Sequence, residues 1–114
     1  MIEQSNWRQN FDAEINLAIQ SRENGNEGRA RVCARRAVSI LIGVYLRYNH
    51  LPDPGVNAVD RLKVFVSLEQ VPLLYRETAQ HFLIKVDKEF NLPPGIDLIT
   101  DAHELVQILN ELPD

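Results

Sequence analysis

Cysteine is almost missing from this chain. Cys33 stands alone among 114 residues, which excludes an internal disulfide framework and fits a reducing compartment. It sits between Val32 and Ala34, where a small packed side chain is expected. No His is placed beside it to act as base, so nucleophilic catalysis has no support. Long apolar runs are missing as well. The opening residues, MIEQSNWRQN, predict no signal peptide. The longest nearly uncharged run, Ala37 to Leu46, is too short to cross a bilayer. A cytoplasmic location with no membrane partner is the expectation.

Metal-ligating patterns are equally scarce. The three histidines, His50, His81 and His103, are far apart, and His103-Glu104 has no second His one helical turn on. Asp97, Asp101 and Glu104 share one face of a predicted helix, which suits solvated acids near a helix start. Gly25 and Gly28 lack both the Lys-Ser/Thr ending and the preceding strand of a phosphate loop. No metal and no cofactor is expected. No stretch alternates apolar and polar residues for long, so no strand is predicted. There is no internal repeat or low-complexity segment.

What the chain does carry is helical periodicity. One stretch, Glu27 to Tyr48, organises the rest. Ala30, Ala34, Ala37, Leu41, Val44, Tyr45 and Tyr48 fall on one stripe, and Val38, Ile40 and Ile42 widen it. A helix apolar nearly all round is covered on several sides. It reads as the centre of a bundle, or as a helix that also meets a second subunit. Gly43, inside it, points to tight packing at a helix crossing.

The other elements follow in order. Ser5 or Asn6 can cap a first helix with Trp7, Phe11, Ile15, Ala18 and Ile19 on its core face, running to about Glu23. Asn24-Gly25-Asn26 ends it and makes the first two helices antiparallel neighbours. Leu51-Pro52-Asp53-Pro54-Gly55 is a breaker. Asn57 can cap a third helix with Val59, Leu62, Phe65, Val66 and Leu68 inward. Pro72 suits the first turn of a fourth, which Leu74, Thr78, Ala79, Phe82, Leu83, Val86 and Phe90 carry to about Phe90. Asn91-Leu92-Pro93-Pro94-Gly95 is the second breaker. Asp97 or Thr100 can cap a last helix along Leu98, Ala102, Leu105, Leu109 and Leu112. The prediction is one all-α domain over residues 1–114, an antiparallel up-and-down bundle of about five helices. At this length it buries roughly two thirds of its unfolded surface.

Charge is unevenly placed within a net −4. Residues 1–50 hold seven Arg and five acids, net +2, and residues 51–114 are net −6. This balance excludes a global positive field but permits a local basic patch on the N-terminal half. Arg29, Arg36 and Arg47 fall on one edge of the second helix, and Arg31 and Arg35 on another. Guanidinium groups suit bidentate phosphate contact, so these five are the candidate nucleic-acid or phosphate-binding residues. The competing expectation is structural ion pairing with Glu14, Glu23, Glu27 and acids of the last helix.

The order of elements resembles the HEPN family of small helical-bundle domains. It has a Trp-led first helix, a short Gly/Asn turn, a long second helix rich in small residues and ending in Tyr-Leu, two shorter segments, and a last helix with Asp101-Ala102. The segment Gly25 to Ala37 looks like the signature of a bacterial HEPN-like group, for which the resemblance implies no activity. Catalytic HEPN members are metal-independent ribonucleases, usually symmetric dimers. They carry an Arg, then four to six residues, then a His. Arg76-Glu77-Thr78-Ala79-Gln80-His81 is similar to that pattern, which makes Arg76 and His81 the candidate catalytic pair. Glu77 stands where the family favours Asn, Asp or His. On one helix the two side chains would diverge by about 140°. The expected partners are a second copy of the chain, RNA or a nucleotide, or another protein. The homodimer rests on Val32, Ile42 and Leu46, which lie off the main core stripe.

Overall fold

The chain turns back for the first time at Asn24-Gly25-Asn26, where Gly25 adopts φ 78°. The Asn26 N–H reaches back to the Ser21 carbonyl at 2.7 Å, which closes the last turn of α1 (Trp7–Glu23). Asn26 then caps α2 (Glu27–Tyr48) by accepting from the Arg29 N–H at 3.0 Å. The computed structural model describes residues 6–55, 57–89 and 91–112. α3 spans Ala58–Ser67 and α4 Leu73–Gln80, followed by a 3-10 turn at His81–Leu83. α5 spans Leu98–Leu105 and runs into a 3-10 turn at Val106–Glu111. The described residues hold five α-helices and no strand.

α2 is the centre. It packs against α1, α3, α5 and the last 3-10 turn, and twelve of its residues from Ala30 to Leu46 are buried. The far end of α2 closes as the first helix does: the Leu51 N–H bonds to the Leu46 carbonyl at 2.9 Å, and His50 takes the left-handed conformation at φ 56°. Ile42 and Leu46 are both 0% exposed within a single chain. Their position off the main stripe therefore gives no reason to expect a second copy, since α3, α5 and the following turn share the work of covering α2. Of the three residues that suggested a dimer, only Val32, 43% exposed, still faces outward.

Most predicted core positions are buried, among them Trp7, Phe11, Ile15, Leu62, Phe65, Phe82, Leu98, Leu105 and Leu109. Ile19, Val59 and Leu74 are not: each is exposed, Leu74 to 68%. Pro72 stands just before α4 as its cap residue, and Leu73 and Leu74 occupy the first turn on the solvent side. Asn57 and Asp97 cap α3 and α5 through their side chains. Asn6 precedes α1 without a side-chain cap bond, and Ser5 lies outside the described residues.

The largest departure from the sequence reading follows α4. A helix to about Phe90 was expected, but regular helix ends at Gln80 and the 3-10 turn at Leu83. Ile84 is extended, with φ −74° and ψ 133°. Ile84 and Val86 are β-branched and weak in helices, and Asp87 folds a local turn by accepting from the N–H groups of Glu89 and Asn91. Phe90 itself lies outside the described residues.

Gly43 is used differently from the expectation. The atoms nearest to it are not another helix's backbone. Instead the Arg61 guanidinium lies against it, and a Cβ on Gly43 would meet Arg61 Cζ at 2.8 Å. Arg61 is buried and fully occupied. It holds Asp53 through Nε at 2.9 Å and Nη2 at 2.7 Å, and donates from Nη1 to the Ser39 carbonyl at 3.0 Å. One side chain thus joins α2, the loop after it, and α3. Gly28 is not required by packing, since a Cβ there would make only an ordinary contact at 3.9 Å.

Candidate anion-binding groove

Arg31 and Arg35 are one helical turn apart, so α2 presents both guanidinium groups on the same edge. α3 brings Lys63 to that edge from one side. The segment leaving the 3-10 turn brings Lys85 from the other. Between them lies a groove of about 780 Å³ lined by these four cations, Gly28, and the apolar residues Val59, Phe82, Leu83, Ile84 and Val86. Among the described residues no carboxylate lines it.

The wall is fastened to the helix at one point. Arg35 Nε donates to the Phe82 carbonyl at 3.1 Å, which fixes both the guanidinium and the start of the extended segment. Burial first, and the neighbouring Arg31 charge second, push the Arg35 pKa below its ordinary value. Lys63 and Lys85 are exposed and form no salt bridge with another described residue.

Two acids near α2 pair with α1 instead. Glu27 and Asp97 both pair with Arg22 of α1, at 2.7 and 3.0 Å. Glu27, by its hydrogen bond, is the main reason the Arg22 pKa is raised. Glu14 has a buried Oε1 without a hydrogen-bond partner among the described residues, in a second hollow of about 480 Å³. Arg36 lines that hollow too, so its charge is mixed.

The five predicted phosphate-binding arginines therefore separate. Arg31 and Arg35 meet in the groove. Arg36 lies in the neighbouring hollow, Arg29 is exposed outside both, and Arg47 is drawn to Asp53 at 3.6 Å. The sequence reading missed Lys63 and Lys85. Lys63 follows Arg61 on an exposed face, a weak signal, and Lys85 was hidden by the expectation that helix continued through it.

The candidate catalytic pair is held by different partners. Arg76 Nε donates to the Val71 carbonyl at 2.9 Å, just before its own helix. His81 places Nδ1 2.8 Å from Asp101 Oδ2 on α5. A carboxylate in that position orients the ring and leaves Nε2 as its other nitrogen. Asp101 is buried, while His81 is about one third exposed. Among the described residues no group of three or more His, Cys, Asp or Glu is placed to hold a metal, and no helix is long and apolar enough to cross a membrane. Cys33 is buried. Comparison with protein-family models, curated proteins and solved structures finds no match to the chain.

Proposed function

We propose that the protein is a non-catalytic helical binding module that holds a phosphate-bearing ligand, the phosphate of RNA or of a small molecule such as a nucleotide, in the groove of Arg31, Arg35, Lys63 and Lys85. One observation carries the reading: four cations from three separate parts of the fold line one groove that, among the described residues, no carboxylate lines. Each charge-assisted bond to phosphate contributes about 1.5–3 kcal/mol. The HEPN-like up-and-down arrangement belongs to the same proposal, as does pairing with a second copy, for which Val32 is the exposed apolar residue on α2.

The test is an amide chemical-shift titration with inorganic pyrophosphate, a nucleoside triphosphate and a short RNA. Shifts should concentrate at residues 28–35 and 82–86. Arg31→Gln combined with Lys85→Gln should weaken binding at least tenfold, with the helical circular dichroism signal retained. Saturating additions that leave those amides unmoved would end the proposal.

A second reading is metal-independent RNA cleavage, with His81 as proton shuttle and Arg76 as phosphate stabiliser. The seating of His81 on Asp101 supports it. Its consequence is cleavage of RNA in the presence of a chelator, lost in His81→Ala at unchanged melting temperature.

A further inference from the structure

We infer that the groove's ligand is a single-chain amphiphile with a phosphate head, an alkyl phosphate, in preference to a nucleotide or RNA; this rests on the reading of the groove as a phosphate site. The reason is what stands beside the cations. Among the described residues, Gly28, Val59, Phe82, Leu83, Ile84 and Val86 make up the rest of the lining. There is no Ser, Thr, Asn, Gln, Tyr or His among them. A nucleobase laid against this wall would lose water from its hydrogen-bonding edge with no side chain to replace it, a penalty a hydrocarbon chain does not carry.

Stacking does not rescue the base. Sites that take bases without reading their edges offer exposed aromatic faces. The one aromatic among the described lining residues, Phe82, is 1% exposed and belongs to the core. Val59, by contrast, is an aliphatic side chain at the groove that stays 41% exposed. A chain lying over it would remove that surface from water.

Charge distribution and size argue in the same direction. The basic groove is local, in a chain of net charge −4 whose residues 51–114 are net −6. The groove offers four cations, enough for one headgroup and few for the repeated phosphates of a polynucleotide. The volume of about 780 Å³ falls within the usual range for small-molecule sites. Two guanidinium groups and two ammonium groups suit a doubly charged phosphate monoester head.

Calorimetric titration of the full chain with dodecyl phosphate, below its micelle-forming concentration, tests this against AMP and inorganic phosphate. AMP carries the same phosphate monoester on a nucleoside body. Dodecyl phosphate should fill one site at least tenfold more tightly than either. Val59→Asn should weaken dodecyl phosphate severalfold and leave inorganic phosphate unchanged, while Arg31→Gln with Lys85→Gln should weaken every phosphate ligand. AMP binding as tightly as dodecyl phosphate, and still sensitive to the charge variant, would overturn this inference and leave the phosphate-binding module standing. Phosphatidic acid vesicles bound while monomeric dodecyl phosphate is not would also overturn it, in favour of a membrane surface. Binding of no phosphate ligand, or binding indifferent to both variants, would overturn both readings.

Discussion

Arg61 shows how one residue can settle a local structure. Its guanidinium fits only because position 43 has no side chain, and it is held there by Asp53 and the Ser39 carbonyl. Gly43→Ala should cost about 1–3 kcal/mol by overpacking, despite the better helix propensity of Ala. In an Arg61→Met background the same change should become neutral or stabilising, by up to about 1 kcal/mol. Urea denaturation of the four proteins in this cycle measures the coupling, and additive effects would show that guanidinium and glycine do not depend on each other. Asp53 adds a pH dependence. The hydrogen bond from Arg61 holds its carboxyl below the ordinary 3.8, with the Gly55 N–H and the charges of Arg61 and Arg47 adding to it against burial. The folded state thus binds this proton less readily than the unfolded state. The stabilisation is complete above pH 3.8 and is lost as pH falls through the depressed folded value. Arg22 and the backbone donors hold Asp97 low as well, against burial, so it adds a loss of the same sign. Asp53→Asn should flatten the acid limb of stability against pH, read from thermal melts between neutral pH and strong acid.

At the scale of elements, helix ends decide what the sequence makes legible. α2 begins and ends where composition places it, because Asn26 and the Asn49-His50-Leu51 turn act through short local bonds. The tail of α4 was not legible. Phe82, Leu83 and Val86 fit a helical stripe as well as they fit an extended wall, and periodicity has no access to the Arg35 bond on the Phe82 carbonyl. The same gap hid half of the groove. The two arginines were visible from spacing on α2, whereas Lys63 and Lys85 join them only through tertiary packing. Burial of Ile42 and Leu46 was missed for a related reason: a stripe computed for one helix does not count its neighbours. Ion pairs between elements contribute less than their number suggests. Arg22 ties α1 to Glu27 of α2 and Asp97 before α5, yet its side chain is 37% exposed. Arg22→Ala should therefore cost no more than about 1 kcal/mol, and the difference from the parent protein should shrink at high salt. A larger loss in urea denaturation, insensitive to salt, would mean that Arg22 acts through packing.

For the whole molecule, one long helix serves as the surface on which the others assemble, and a basic groove sits in a chain of net charge −4. The long connection between the groove wall and α5 begins after Val86 and ends at Asp97. The wall is fastened at Phe82 by Arg35, and the far end at Asp97 by Arg22. Pro93, Pro94 and Gly95 between them are exposed. That makes the connection a place where chain length is free to change. Lengthening a loop already closed at both ends costs only about 0.6 kcal/mol per doubling. A short Gly-Ser insertion between Pro94 and Gly95 should leave the melting temperature nearly unchanged. The same insertion between Asp53 and Pro54, beside the carboxylate that holds Arg61, should lower it by several degrees. The molecule therefore has a built-in attachment point: a reporter peptide or fused domain placed after Pro94 would be carried by the fold without being felt at α2.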